Sequence, residues 1–344
     1  DMLPMVIILK VKRCLKGAYD ANTYLVKKSR KFTFISGMAD HIRVKSPWSQ
    51  LGIFLGLFGL AFIVGYVIMG IFAYNMGVTD GAEAGKLDWS NPRVAAGLKI
   101  IQAVSSILIF LLPAVIFARM VQEGKTLSFL GLRPARLKVM YILGIVGILV
   151  AFPFVFWLGE INQMFPLPQW MGDMEKEASK QMQQFLKASG PLDVAINVFI
   201  VAFIPAICEE VCFRGALQRI MIHISKNAWT GIIITSFVFS ALHLQFMGFL
   251  PRMFLGVFLG AICWYSGSLW PSILAHLVYN GAQVIAVSYA PEFVEKNPSV
   301  PIYLAALSGL VTLAVMWVFR TYSTISYREV YESDDIKSNN EFLV

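Results

Sequence analysis

Apolar residues fall in long blocks along this chain, and polar residues gather between the blocks rather than alternating within them. Eight stretches are long enough, or nearly so, to cross a hydrocarbon core of ~30 Å. They lie at 50–74, 95–118, 138–158, 192–212, 229–249, 250–266, 270–289 and 301–319. A bilayer offers no water to unpaired N–H and C=O groups, so apolar runs of this length satisfy their backbone as helices. The expected fold class is therefore all-α: a polytopic membrane protein with about eight transmembrane helices. The boundary between the fifth and sixth stretches is soft, because only Gln245, Pro251 and Arg252 punctuate residues 229–266. Between Gly172 and Lys187, the residues Met174, Ala178, Met182, Phe185 and Leu186 recur at helical spacing. That predicts an amphipathic helix on the outer surface, a packing element first and a substrate gate as the sharper reading.

Composition agrees with the pattern. Hydrophobic residues make up 57% of the chain and charged ones 15%, against roughly 25% charged in soluble domains. Mean hydropathy is +0.65. The net charge of +8 is mostly topology. Lys10, Lys12, Arg13, Lys16, Lys27, Lys28, Arg30, Lys31, Arg43 and Lys45 precede the first stretch, and Arg119, Lys125, Arg133, Arg136 and Lys138 lie around the second connection. The first and third connections hold Asp80, Glu83 and Asp88, then Glu160, Asp173, Glu175 and Glu177. The positive-inside rule then expects both termini in the cytoplasm, with membrane lipids as the partner of the basic arm and no nucleic acid. Of the four cysteines, Cys208, Cys212 and Cys263 fall in apolar stretches and Cys14 in the arm, which implies no disulfide framework. No cleavable signal peptide is expected, since Met2–Leu9 is short and its basic residues follow it.

Four regions result: a basic membrane-surface segment at 1–47, three accessory helices and the amphipathic helix at 48–190, a helical core at 191–290, and a last helix with a polar tail at 291–344. The tail from Thr321 is expected to fray. Gly52 with Gly56, and Gly256 with Gly260, are small-xxx-small pairs that predict close helix approach.

The core carries the costly side chains. Glu209, Glu210 and Arg214 interrupt the fourth stretch, and His243, His276 and Asn280 follow in later ones. Ionisable residues at membrane depth are functional-site candidates. On an α-helix Glu210 and Arg214 share a face and can pair, while Glu209 points about 140° away from Arg214. One carboxylate would be an anchor; its neighbour would be desolvated yet free to take a proton. Glu209 lies 17 residues before Lys226 and His243 lies 17 after it. At 1.5 Å per residue both would sit ~25 Å from a polar turn at Ser225–Asn227, with Phe239 walling the His243 ring. His276 and Asn280, four apart, project together and could donate to an oxyanion. Taken singly, each has a bland reading: interhelical hydrogen bonds for His and Asn, a buried ion pair for Glu210 with Arg214, and small hydrophobes for Cys208 and Cys212.

Glu209–Arg214 matches Glu-Glu-x-x-x-Arg, Phe239–His243 matches Phe-x-x-x-His, and His276–Asn280 matches His-x-x-x-Asn. In this order on successive apolar helices, the three motifs resemble those of the CAAX protease and bacteriocin-processing family, which includes the type II CAAX prenyl endopeptidases. The resemblance covers roughly 192–290. It implies an eight-helix intramembrane endopeptidase acting on a membrane-associated peptide or lipidated protein. Glu209 and His243 would activate water, His276 and Asn280 would stabilise the oxyanion, and Glu210, Arg214 and Phe239 would support the site. No cofactor is expected under a glutamate mechanism; Glu209, His243 and His276 could alternatively form a two-histidine, one-carboxylate zinc site. A non-proteolytic scaffold or accessory subunit, and a proton-coupled transporter, are the rival readings. Glu209, His243, His276 and Asn280 are expected to line one hydrated cavity, which opens to the cytoplasm if the turn at Ser225–Asn227 protrudes ~15 Å beyond the membrane.

Overall fold

A computed structural model describes residues 46–75, 91–122, 125–294 and 298–331. The basic arm through Lys45, Cys14, the acidic first connection and the acidic end of the tail lie outside the described residues. Those residues contain helices and turns and no strand. We number the principal helices α1 (Pro47–Asn75), α2 (Arg93–Val121), α3 (Val139–Gln163), α4 (Gln169–Leu186), α5 (Pro191–Ser225), α6 (Ala228–Ala241), α7 (Phe249–Ser266), α8 (Trp270–Tyr289) and α9 (Ile302–Tyr322). Among them α1, α2, α3, α5, α7 and α9 are long and apolar enough to cross a membrane. The chain is thus an all-α polytopic membrane protein. Each of the eight predicted stretches holds a helix, but α6 has 14 residues and α8 carries too many polar residues to join the six.

Local chemistry sets the boundaries. The Asn91 side chain accepts from Arg93 N at 3.0 Å to start α2, and Asn227 caps α6 through Thr230 N at 3.1 Å. Lys226 takes a left-handed conformation (φ 54°) between α5 and α6. Pro153 interrupts α3, and Ser308 of α9 serves the backbone there, donating to Val150 O at 2.6 Å and accepting from Phe154 N at 3.2 Å. α4 is the predicted amphipathic helix.

α3 packs on α7, α8 and α9, α6 on α7, and α5 on α6 and α8. Gly256 and Gly260 permit close approach of α7 to α6 and α5. A Cβ on Gly256 would lie 2.9 Å from Ser236 Cβ, and one on Gly260 would lie 2.5 Å from Gln218 Oε1. Their bared carbonyls accept from Arg214 (3.2 Å) and Gln218 (3.0 Å).

Three expectations are corrected. Gly52 and Gly56 meet nothing within 4 Å, so that pair packs against no described helix. The tail does not fray at Thr321: residues 323–331 dock on the α5 end and on the α2–α3 connection. Arg136 bonds Thr324 Oγ1 at 2.5 Å and pairs with Glu329 at 2.8 Å. Tyr331 donates to Arg219 O at 2.8 Å and stacks on His223 with centroids 4.8 Å apart, aromatic contacts that outweigh the segment's polarity. The helix of the fifth predicted stretch, α6, ends at Ala241 rather than near residue 249, because the turn that follows finds its hydrogen bonds elsewhere.

Candidate active site

α5 is not α-helical throughout. Val198–Phe203 and Glu210–Leu217 are π-helical, with i→i+5 bonding, a geometry often found at functional sites. The second segment begins at the paired glutamates. Glu209 and Arg214 therefore lie one wide turn apart rather than 140° apart, and the expected separation of faces does not hold. The two carboxylates are separated by their partners instead.

Glu210 is fully buried and saturated. Its Oε1 lies 2.8 Å from Arg214 Nη1 and 3.0 Å from His276 Nδ1, and its Oε2 accepts from Ser272 Oγ, which also contacts Leu259 O at 3.2 Å. Burying a charge is tolerable when it is paired and hydrogen-bonded in this way. Since an ionised carboxylate only accepts, His276 Nδ1 is the donor and the Nε2 edge is left to Glu209. That edge lies 3.8 Å from Glu209 Oε2. Glu209 keeps 13% of its side-chain surface exposed, and this is its one ion-pair contact among the described residues.

Phe239 is the hub of the aromatic contacts. Its ring is edge-on to His243 (centroids 4.9 Å) and to His276 (6.2 Å), and the Arg214 guanidinium sits 4.6 Å from its centroid. His243 is exposed and stands two residues past the end of α6, its Nδ1 2.8 Å from Phe239 O. The expected wall is present, though from a turn rather than a shared helical face. No hydrogen bond or ion pair among the described residues joins Glu209 to His243; they are linked through His276 and Phe239. Asn280 lies one turn beyond His276 on α8, half-buried, with its amide uncommitted to any described residue. Cys208, Cys212 and Cys263 are free thiols.

Two contributors escaped the sequence reading. Ser272 anchors Glu210, and its signal was the stripe Ser272, His276, Asn280 at a spacing of four residues. Arg252, read only as a helix boundary, bonds Gln245 O at 3.2 Å and Gln245 Oε1 at 2.9 Å, near enough for its charge to act on both Glu209 and His243. Met247 N donates to Glu175 Oε1 of α4 at 3.0 Å, which puts the His243 turn at the α4 end of the bundle, remote from Lys226. The charge pattern expects that end to face outward, against the expected cytoplasmic mouth.

Among the described residues no three His, Cys, Asp or Glu side chains converge as a metal site would require. Glu209, His243 and His276 do not form such a group.

Residues 191–282 match the family described as type II CAAX prenyl endopeptidase Rce1-like. That span contains all three motifs and begins where α5 begins. No curated protein and no solved structure matches the chain.

Proposed function

We propose, on the premise that the chain belongs through residues 191–282 to the CAAX protease and bacteriocin-processing family, that it is a membrane-embedded endopeptidase of the glutamate type. The observation that carries this reading is the unequal treatment of two adjacent carboxylates: Glu210 meets Arg214, His276 and Ser272 at close range, and Glu209 has one ion-pair contact, at 3.8 Å, among the described residues. A carboxylate left so free in an apolar bundle is available to take up a proton and give it back.

Glu209 and His243 hold a water between them. Glu209 takes its proton as the water oxygen bonds to the scissile carbonyl carbon. The carbonyl oxygen becomes an oxyanion, received by the Asn280 amide and by His276 Nε2–H. Because His276 also donates from Nδ1 to Glu210, donation from Nε2 requires a doubly protonated ring, a charge that the carboxylates at 3.0 and 3.8 Å balance. Glu209 then gives its proton to the departing nitrogen as the C–N bond breaks. The substrate class is a membrane-associated peptide or a lipidated protein tail, and the short-loop charges favour both termini in the cytoplasm.

The test is a comparison of membrane peptidomes in cells making wild type or Glu209→Gln, followed by cleavage of the identified peptides with purified protein. Peptide termini that depend on Glu209 are expected. Identical peptidomes, with no peptide cleaved by wild type, would refute the reading.

A further inference from the structure

The turn between α6 and α7 carries His243 and has little order of its own. Leu244 takes a left-handed conformation (φ 54°), uncommon for a residue with a side chain and held only when the surroundings fix it. His243 itself is tied only to its own helix end, through Phe239 O. Part of what fixes the turn comes from outside residues 191–282. Asn162, at the end of α3 and 7% exposed, donates from Nδ2 to Phe246 O at 2.7 Å and accepts at Oδ1 from Leu250 N at 2.8 Å. One side-chain amide thus bridges both flanks of the 3-10 turn at Phe246–Gly248. Glu175 of α4 accepts from Met247 N inside the same turn, and Trp170 stands edge-on to Phe246 with centroids 6.3 Å apart. From within the matched span, Arg252 adds its two bonds to Gln245 and Ser240 Oγ donates to Phe249 O at 2.8 Å.

We infer that Asn162 and Glu175 are positioning residues for His243, and that α3 and α4 work as a clamp on the turn that presents it. The inference rests on the reading of Glu209 and His243 as the water-activating pair. A histidine on a helix inherits its position from the helix, whereas one on a turn takes it from whatever holds the turn. Reacting groups need sub-ångström placement, and a misplacement of ~1 Å can cost ~100-fold in rate. The inference also gives the accessory half of the chain a task that its packing alone would not require: buried Asn162 commits both the nitrogen and the oxygen of its amide to this turn.

The experiment pairs disruptive with conservative variants of the full-length protein and reads them twice, by steady-state cleavage of a peptide that wild type cleaves and by hydrogen exchange of residues 242–250. Asn162→Ala and Asn162→Asp, which loses the donor to Phe246 O, are expected to lower kcat by ~10–100-fold with KM little changed. Both should speed exchange in the turn. Glu175→Ala should do the same more weakly. Glu175→Gln should restore kcat and slow exchange, because an amide oxygen still accepts from Met247 N. Wild-type kcat in Asn162→Ala, or a loss in Glu175→Ala that Glu175→Gln fails to rescue, would overturn the inference while leaving the peptidase reading intact. So would unchanged exchange at 242–250, a result that needs no turnover to be read. A wild type that cleaves nothing would instead remove the peptidase reading, and with it the role assigned to His243.

Discussion

His276 Nδ1 lies 3.0 Å from Glu210 Oε1 while the opposite edge of the same ring, Nε2, lies 3.8 Å from Glu209 Oε2. One imidazole therefore touches both members of the glutamate pair, and does so asymmetrically: bonded to the saturated one, turned towards the free one. Glu209→Gln is nearly isosteric and cannot take a proton, so turnover should fall by several orders of magnitude with the melting temperature in detergent almost unchanged. Rapid cleavage by purified Glu209→Gln would remove Glu209 as the base.

Glu210 should respond in the opposite sense, through stability. Arg214→Ala takes the guanidinium from a fully buried carboxylate and leaves it to His276 and Ser272 alone; breaking a buried pair by removing one partner costs about 3–5 kcal/mol. Changing both residues to glutamine removes the charge together with its partner and should be milder. Thermal melts decide it, and equal melting temperatures for Arg214→Ala and wild type would dissolve the pairing.

Much of this arrangement was legible in the sequence, for a physical reason. A bilayer makes polar groups expensive, so Glu209, Glu210, Arg214, His243, His276 and Asn280 stood out against apolar neighbours, and the eight apolar stretches marked their helices. The unreadable parts depended on partners distant in sequence or on backbone choices that composition does not encode. Nothing in Ala241–Met247 breaks a helix, yet the chain turns there, because Asn162 and Glu175 accept and donate in place of the helical ladder. The π-helical turns of α5 likewise leave no compositional mark. Ser272 was overlooked as a small residue in an apolar run.

Ser272 should prove a positioning residue acting through Glu210. Ser272→Ala removes one hydrogen bond to a buried carboxylate, a loss of about 1.5–3 kcal/mol. The freed Oε2 is then open to rotate Glu210 away from His276. The expected result is a moderate fall in both melting temperature and kcat, while Ser272→Thr, which keeps the hydroxyl, recovers the fall if its extra methyl is accommodated beside Leu259. Unaltered kcat in Ser272→Ala would show that Glu210 needs only Arg214 and His276.

Chelation separates the two chemistries that the donor set allows in principle. Under the glutamate mechanism, prolonged treatment with a strong zinc chelator, followed by its removal, should leave kcat unchanged, and added zinc should not raise it. Loss of activity on chelation, restored by stoichiometric zinc, would contradict the Glu209 base and reopen the zinc reading of Glu209, His243 and His276.

The last prediction concerns which end of the bundle is wet. α6 has 14 residues, about 21 Å of helix, shorter than a ~30 Å hydrocarbon core, so a residue just past its end still lies at membrane depth unless a cavity reaches it. Leu244 follows His243 in the turn held by Glu175 of α4, and Lys226 stands at the opposite end of α6. In a background free of native cysteines, Leu244→Cys should react with a membrane-impermeant thiol reagent from the same side as Gln181→Cys on α4, and Lys226→Cys from the other side. Protection of Leu244→Cys by a bound peptide inhibitor would mark that end as the route to Glu209. Labelling of Leu244→Cys from the Lys226 side would place the mouth at the opposite end and require water to reach His243 along α6.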